Sequence, residues 1–112
     1  MANNIKLTLL FENRYKGFAK KFKSLESDVD ALIEELSRNP TTGEALGAGL
    51  YKIRLAVKSK GKGKSGGFRV IMYLVSQTDT DTDIYLITLY DKSEESTIKK
   101  EALVALAKQL VD

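Results

Sequence analysis

Tyr51-Lys52-Ile53-Arg54-Leu55-Ala56-Val57-Lys58 is the segment on which the fold turns. Its odd positions are apolar (Tyr51, Ile53, Leu55, Val57), while the even ones are Lys52, Arg54, Ala56 and Lys58. Successive side chains of a strand point to opposite faces, so a period of two predicts a β-strand with one face for a core and one face of cations.

Downstream, Lys58 to Gly67 holds four lysines and four glycines and reads as a mobile loop. Phe68 to Val75 resumes as a strand, Ser76 to Asp83 is a polar turn, and Ile84 to Tyr90 is a further strand. These three strands predict an antiparallel meander. Ser96 or Thr97 is placed to cap a last helix, whose apolar face is Ile98, Ala102, Leu103, Leu106 and Leu110, ending at Val111. Upstream, Thr41 to Gly49 reads as a connection, and Asn39-Pro40 stops a helix with the stripe Val29, Leu32, Ile33, Leu36, capped by Ser24 or Ser27. Before it, Phe11, Tyr15, Phe18, Ala19 and Phe22 recur at helical spacing, preceded by a β-prone run from Ile5 to Leu10. The order βααβββα predicts an α+β fold: a small antiparallel sheet with an N-terminal helical hairpin and a C-terminal helix, one domain over residues 1–112. With the helices on one face of the sheet, the other face is open to a ligand.

The net charge of +3 conceals an asymmetry. Residues 52–69 carry seven cations (Lys52, Arg54, Lys58, Lys60, Lys62, Lys64, Arg69) and no acid, whereas the remainder is net acidic. A block of this kind is a footprint for polyanions. Absence of cysteine excludes disulfides and thiolate chemistry, and absence of histidine leaves acid–base work to carboxylates, tyrosine or a perturbed lysine. No metal site is expected: Asp79, Asp81 and Asp83 alternate in a turn without the further ligands of a calcium loop. Nor is a cofactor expected. Gly63-Lys64-Ser65 leads into a strand rather than opening a helix, which rejects a nucleotide-binding P-loop. No apolar run reaches the roughly 20 residues of a membrane span, and a cytoplasmic location is expected.

On a lone loop, lysines read equally as groups that keep it soluble and as phosphate contacts. Lys52, Arg54 and Arg69 differ, because long cations are costly to place within strands, and on one face of paired strands they form a surface for phosphates. Tyr90 and Lys92, at the exit of the last strand, stand beside that surface, where a tyrosine either packs at the rim of the core or can stack on a base or move a proton.

Taken in order, Tyr51-Lys52-Ile53-Arg54-Leu55, the segment Gly61 to Ile71 and Tyr85 to Glu94 resemble the RelE/ParE toxin superfamily, and the long Gly-Lys loop is similar to its HigB-like branch. The resemblance covers most of the chain. It implies the toxin of a type II toxin–antitoxin system, acting as a metal-independent, ribosome-dependent endoribonuclease on messenger RNA. It also implies a cognate antitoxin, of helix-turn-helix type, through which alone operator DNA would be met. By position it implies catalytic roles for Lys52, Arg54, Arg69, Tyr90 and Lys92, and RNA contact by Lys58, Lys60, Lys62 and Lys64. The C-terminal tyrosine of some relatives has no counterpart at Thr97-Ile98. Two other functions fit the same fold, a gyrase poison like ParE and a non-catalytic nucleic-acid binding module.

Overall fold

The computed structural model describes residues 2–40, 42–61, 67–77 and 81–111. Its elements are β1 (Ala2–Leu7), α1 (Leu9–Lys21), α2 (Leu25–Arg38), β2 (Glu44–Gly47), β3 (Leu50–Leu55), β4 (Phe68–Gln77), β5 (Asp81–Asp91) and α3 (Lys100–Val111), with 3₁₀ turns at Lys58–Lys60 and Lys92–Thr97. The expected α+β order is present, with β2 as an additional strand. The five strands form one sheet in the order β1-β5-β4-β3-β2. The β3–β4–β5 meander is antiparallel as expected, and β1 lies parallel to β5, which makes the whole sheet mixed.

The apolar run from Ile5 to Leu10 is divided between two elements. Thr8 ends β1 because its hydroxyl accepts from the Phe11 amide (3.1 Å), capping α1, and donates to the Ile87 carbonyl (2.7 Å). Leu9 and Leu10 therefore open a helix, and Leu9 stays 72% exposed. α2 stops at Arg38 with Asn39 as its C-cap, as the Asn39-Pro40 pair predicts. Ser24 occupies the N-cap position of α2, yet its hydroxyl is engaged with Asp28 (2.7 Å) and Ser59 (2.8 Å) instead of the helix amides.

The hairpin missed in the Thr41 to Gly49 connection is tight. Gly47 pairs with Leu50, leaving Ala48 and Gly49 as a two-residue loop in which both have positive φ (55° and 81°), the pattern of a type I′ turn. Gly49 is required twice over, since a Cβ there would stand 2.9 Å from the Tyr73 ring.

Two apolar layers enclose the sheet. On one face, Ile53, Leu55, Val57, Phe68, Val70, Met72, Ile84, Leu86 and Leu89 pack against Phe11 of α1 and against Leu25, Val29, Leu32 and Leu36 of α2. Phe18 and Phe22 meet the Phe68 ring edge-on at 4.7 and 5.4 Å. Tyr15, also on this side, has its phenol pushed above the ordinary value by burial and then by the Glu26 and Asp30 carboxylates of α2. On the other face, Leu50, Ile71, Ile87 and Tyr90 are covered by Leu103 and Ala107 of α3. The helices do not share one side, and the expected open face is in part closed. The cause lies in β4 and β5, whose near-continuous apolar sequences expose hydrophobic side chains in both directions and so require a cover on each. α3 also begins later than expected: Ser96 and Thr97 belong to the preceding 3₁₀ turn. Among the described residues, no helix is long and apolar enough to cross a membrane.

Candidate nucleic-acid interface

Register fixes which of the predicted residues meet. Arg54 of β3 is the direct partner of Arg69 on β4, and Arg69 is the direct partner of Tyr90 on β5. Directly paired residues of antiparallel strands have Cα atoms about 4.5–5.5 Å apart and share a face, so Arg54, Arg69 and Tyr90 form one row across three strands. The adjacent row runs Glu44, Lys52, Ile71, Thr88. Both rows lie on the α3 face, at the margin of the cover that α3 provides over Ile71 and Tyr90.

Depth within the rows is uneven. Arg54 is exposed and Lys52 half-buried, whereas Arg69 and Tyr90 are only 3% and 2% exposed. Arg69 donates from Nη1 to the Phe68 carbonyl at 3.2 Å. Lys52 stands 3.9 Å from Glu44, a carboxylate that is itself largely exposed. Between α2 and the β2–β3 hairpin, Lys52 and Arg54 line a cleft of about 310 Å³ with Glu35, Thr42, Gly43 and Glu44. The cleft thus gathers two basic and two acidic residues at the β2 edge of the sheet.

Of the loop lysines, Lys60 does not join this surface. Lys60 turns to the opposite face and closes a 2.6 Å ion pair with Asp91, its ammonium also lying 5.4 Å from the centre of the Phe68 ring. The reason is register: Phe68 and Asp91 are paired across β4 and β5, and the 3₁₀ turn that carries Lys60 is held against α2 by the Lys58 amide on Asp28 (3.2 Å) and the Ser59 amide on Ser24 (2.8 Å). Burial raises the Asp91 carboxyl, but hydrogen bonds from Lys60 and Ser93 and the Lys60 charge outweigh it, holding it below the ordinary carboxylate value. Lys58 is exposed on that turn, while Lys62 and Lys64 lie outside the described residues. Lys92 is exposed beyond β5, its amide bonded to the Gly67 carbonyl at 3.0 Å, outside the two rows.

A profile described as the RelE toxin of the RelE/RelB toxin–antitoxin system matches residues 9–111. The chain belongs to the RelE toxin family. The match spans every element except β1 and includes both rows. As a RelE-family toxin it has an antitoxin as its partner. Residues of this site that the sequence reading passed over are Glu44, hidden in a segment taken for a connection, and Lys100, which lines a small hollow with Lys52 and Tyr90. Arg14, also passed over, braces the far end of β5: its Nε donates to the Leu89 carbonyl at 2.7 Å and its Nη2 meets Glu94 at 3.2 Å.

Proposed function

We infer that this RelE-family chain is a ribosome-dependent endoribonuclease of the HigB-like branch, cutting messenger RNA in the cytoplasm, held in check by a helix-turn-helix antitoxin that alone contacts operator DNA. The observation that carries this reading is the Arg54–Arg69–Tyr90 row, two guanidinium groups and a phenol brought into register by β3, β4 and β5. Cleavage by this row needs no redox step. The ribose 2′-hydroxyl gives its proton to a base and attacks the adjacent phosphorus; the bond to the 5′-oxygen breaks, that oxygen takes a proton, and a 2′,3′-cyclic phosphate is left. Positive charge beside the phosphorane lowers the barrier, and a guanidinium is permanently charged and able to make two parallel hydrogen bonds.

Arg54 and Lys52 are accessible to a phosphate as they stand. Arg69 and Tyr90 are buried, so direct contact of either with RNA requires the side chains above them to move; until then Arg69 contributes through its charge beneath Arg54. Such a requirement suits a nuclease that acts only where the ribosome aligns the message, since alignment alone supplies several kcal/mol of barrier lowering.

The test is induction in cells followed by mapping of messenger 5′ ends. New internal ends are expected with the natural chain and none with Arg54→Ala or Arg69→Met, the latter filling the buried volume without its charge, while circular dichroism and melting show both variants folded. A fully toxic, cleaving Arg54→Ala overturns the reading. DNA breaks without new messenger ends identify a gyrase poison, and neither signal identifies a binding module.

A further inference from the structure

Next to the Arg54–Arg69–Tyr90 row is a hollow of about 140 Å³ bounded by Lys52, Tyr90 and Lys100, with Leu46, Ile71 and Leu103 as apolar walls. Small-molecule pockets start near roughly 300 Å³, so this one suits a single compact group and excludes a nucleoside. Its polar chemistry is cationic. Lys52 enters from β3, and Lys100 enters from the first residue of α3.

Lys100 is in an electrostatically unfavourable place. A helix N-terminus carries the positive end of the macrodipole, and here Lys99 and Lys100 add two ammonium groups to it, offset in part by Glu101 in the same turn. The Lys100 ammonium is also folded back over β2: it lies 3.3 Å from the position that a Cβ on Gly47 would take. Gly47, with φ of 91° and no side chain, leaves that space open. Across the hollow, Lys52 stands 3.9 Å from Glu44, which is 63% exposed.

We propose that Lys52 and Lys100 form a second phosphate subsite, which takes the RNA backbone phosphate next to the one met by Arg54. The proposal rests on the RNA reading above. Lys52 and Arg54 are two residues apart on one strand, about 6.8 Å, a spacing comparable with that of consecutive phosphates in an extended single strand. Lys100 is thereby a positioning residue, and the docked α3 becomes part of the substrate surface.

The test is the salt dependence of binding to a single-stranded 2′-O-methyl RNA oligonucleotide, which cannot be cleaved through its 2′ position. Each phosphate contact on a single strand contributes about 0.7 to the slope of log affinity against log salt. Lys100→Gln is expected to reduce the slope by about 0.7, and Lys100→Arg to retain it. Lys108→Gln, the same loss of charge near the other end of α3, is expected to leave it unchanged. Equal slopes for Lys100→Gln and Lys108→Gln, with a reduced slope for Arg54→Ala, overturn the subsite alone. No change in any of the three overturns the subsite and the RNA surface together.

Discussion

Asp91→Asn isolates the charge of one ion pair with little other disturbance. Asp91 Oδ1 receives Lys60 Nζ at 2.6 Å and the Ser93 amide at 3.0 Å, and the two side chains of the pair are only 15% and 19% exposed. Asparagine keeps the size and an oxygen for Ser93 but leaves the Lys60 ammonium beside Phe68 without its counter-charge. A hydrogen bond to a charged group contributes about 1.5–3 kcal/mol, and stranding a half-buried cation places the cost within that range. For a chain of 112 residues, at about 4 °C per kcal/mol, the melting temperature is expected to fall by roughly 6–12 °C at pH 7.

The pH dependence gives the discriminating measurement. Asp91 has its folded pKa below the unfolded carboxylate value of about 3.9, so its contribution is present in full above that value and is lost as pH falls through the folded pKa. The gap in urea midpoint between the natural chain and Asp91→Asn should thus hold constant from pH 7 to about 5 and narrow below about 4. Added salt should change it little, because a largely buried pair is screened far less than a surface pair. A variant within about 0.5 kcal/mol of the natural chain at pH 7, the range of an ordinary surface substitution, would refute the assignment. So would a gap that stays the same from pH 5 to pH 3.

Ala48→Asn should stabilise the chain by about 0.5–1 kcal/mol in urea denaturation, because Ala48 holds a left-handed φ of 55° that asparagine adopts more readily; an unchanged or lowered midpoint contradicts the turn assignment. Thr8→Val should cost about 1–2 kcal/mol by the same assay, since it removes both the cap of α1 and the hydrogen bond to the Ile87 carbonyl; a loss under about 0.3 kcal/mol speaks against that double role.

The parts of the fold legible in the sequence are those written in side-chain alternation. Ile53, Leu55 and Val57 were separable from Lys52 and Arg54 by period alone, and the structure buries the first set against α1 and α2. β2 was not legible, because Glu44-Ala45-Leu46-Gly47 is short, mostly exposed and without alternation. The position of α3 had a signal that was not used. Val70 to Val75, and Ile84 to Tyr90 apart from Thr88, are apolar at odd and even positions alike, which marks central strands covered on both sides. The Arg54–Arg69–Tyr90 row was implied once the meander was drawn, but its depth was not, since burial depends on what α3 covers. The fate of Lys60 was further out of reach. Its partner is 31 residues away, and the pairing of Phe68 with Asp91 that creates the niche is a property of register, which composition does not record.

The cost of placing a cation separates the informative ones from the rest. Lys58 is exposed, and a lysine there is compatible with nearly any function because solvation costs the fold little. Lys60 is half-buried but answered by Asp91, and together with the ring of Phe68 it fastens the turn at Lys58–Lys60 to the end of β5. Arg69 is buried more deeply than either. A guanidinium at 3% exposure is expensive even when hydrogen-bonded, since attraction in a low-dielectric interior tends only to offset desolvation, and its direct cross-strand neighbour is a second arginine, where an apolar residue would give a more stable sheet. Stability alone would not select Arg54 opposite Arg69 in the same register that holds Tyr90. On the RNA reading proposed above, a backbone phosphate at that face would answer the charge of both guanidinium groups.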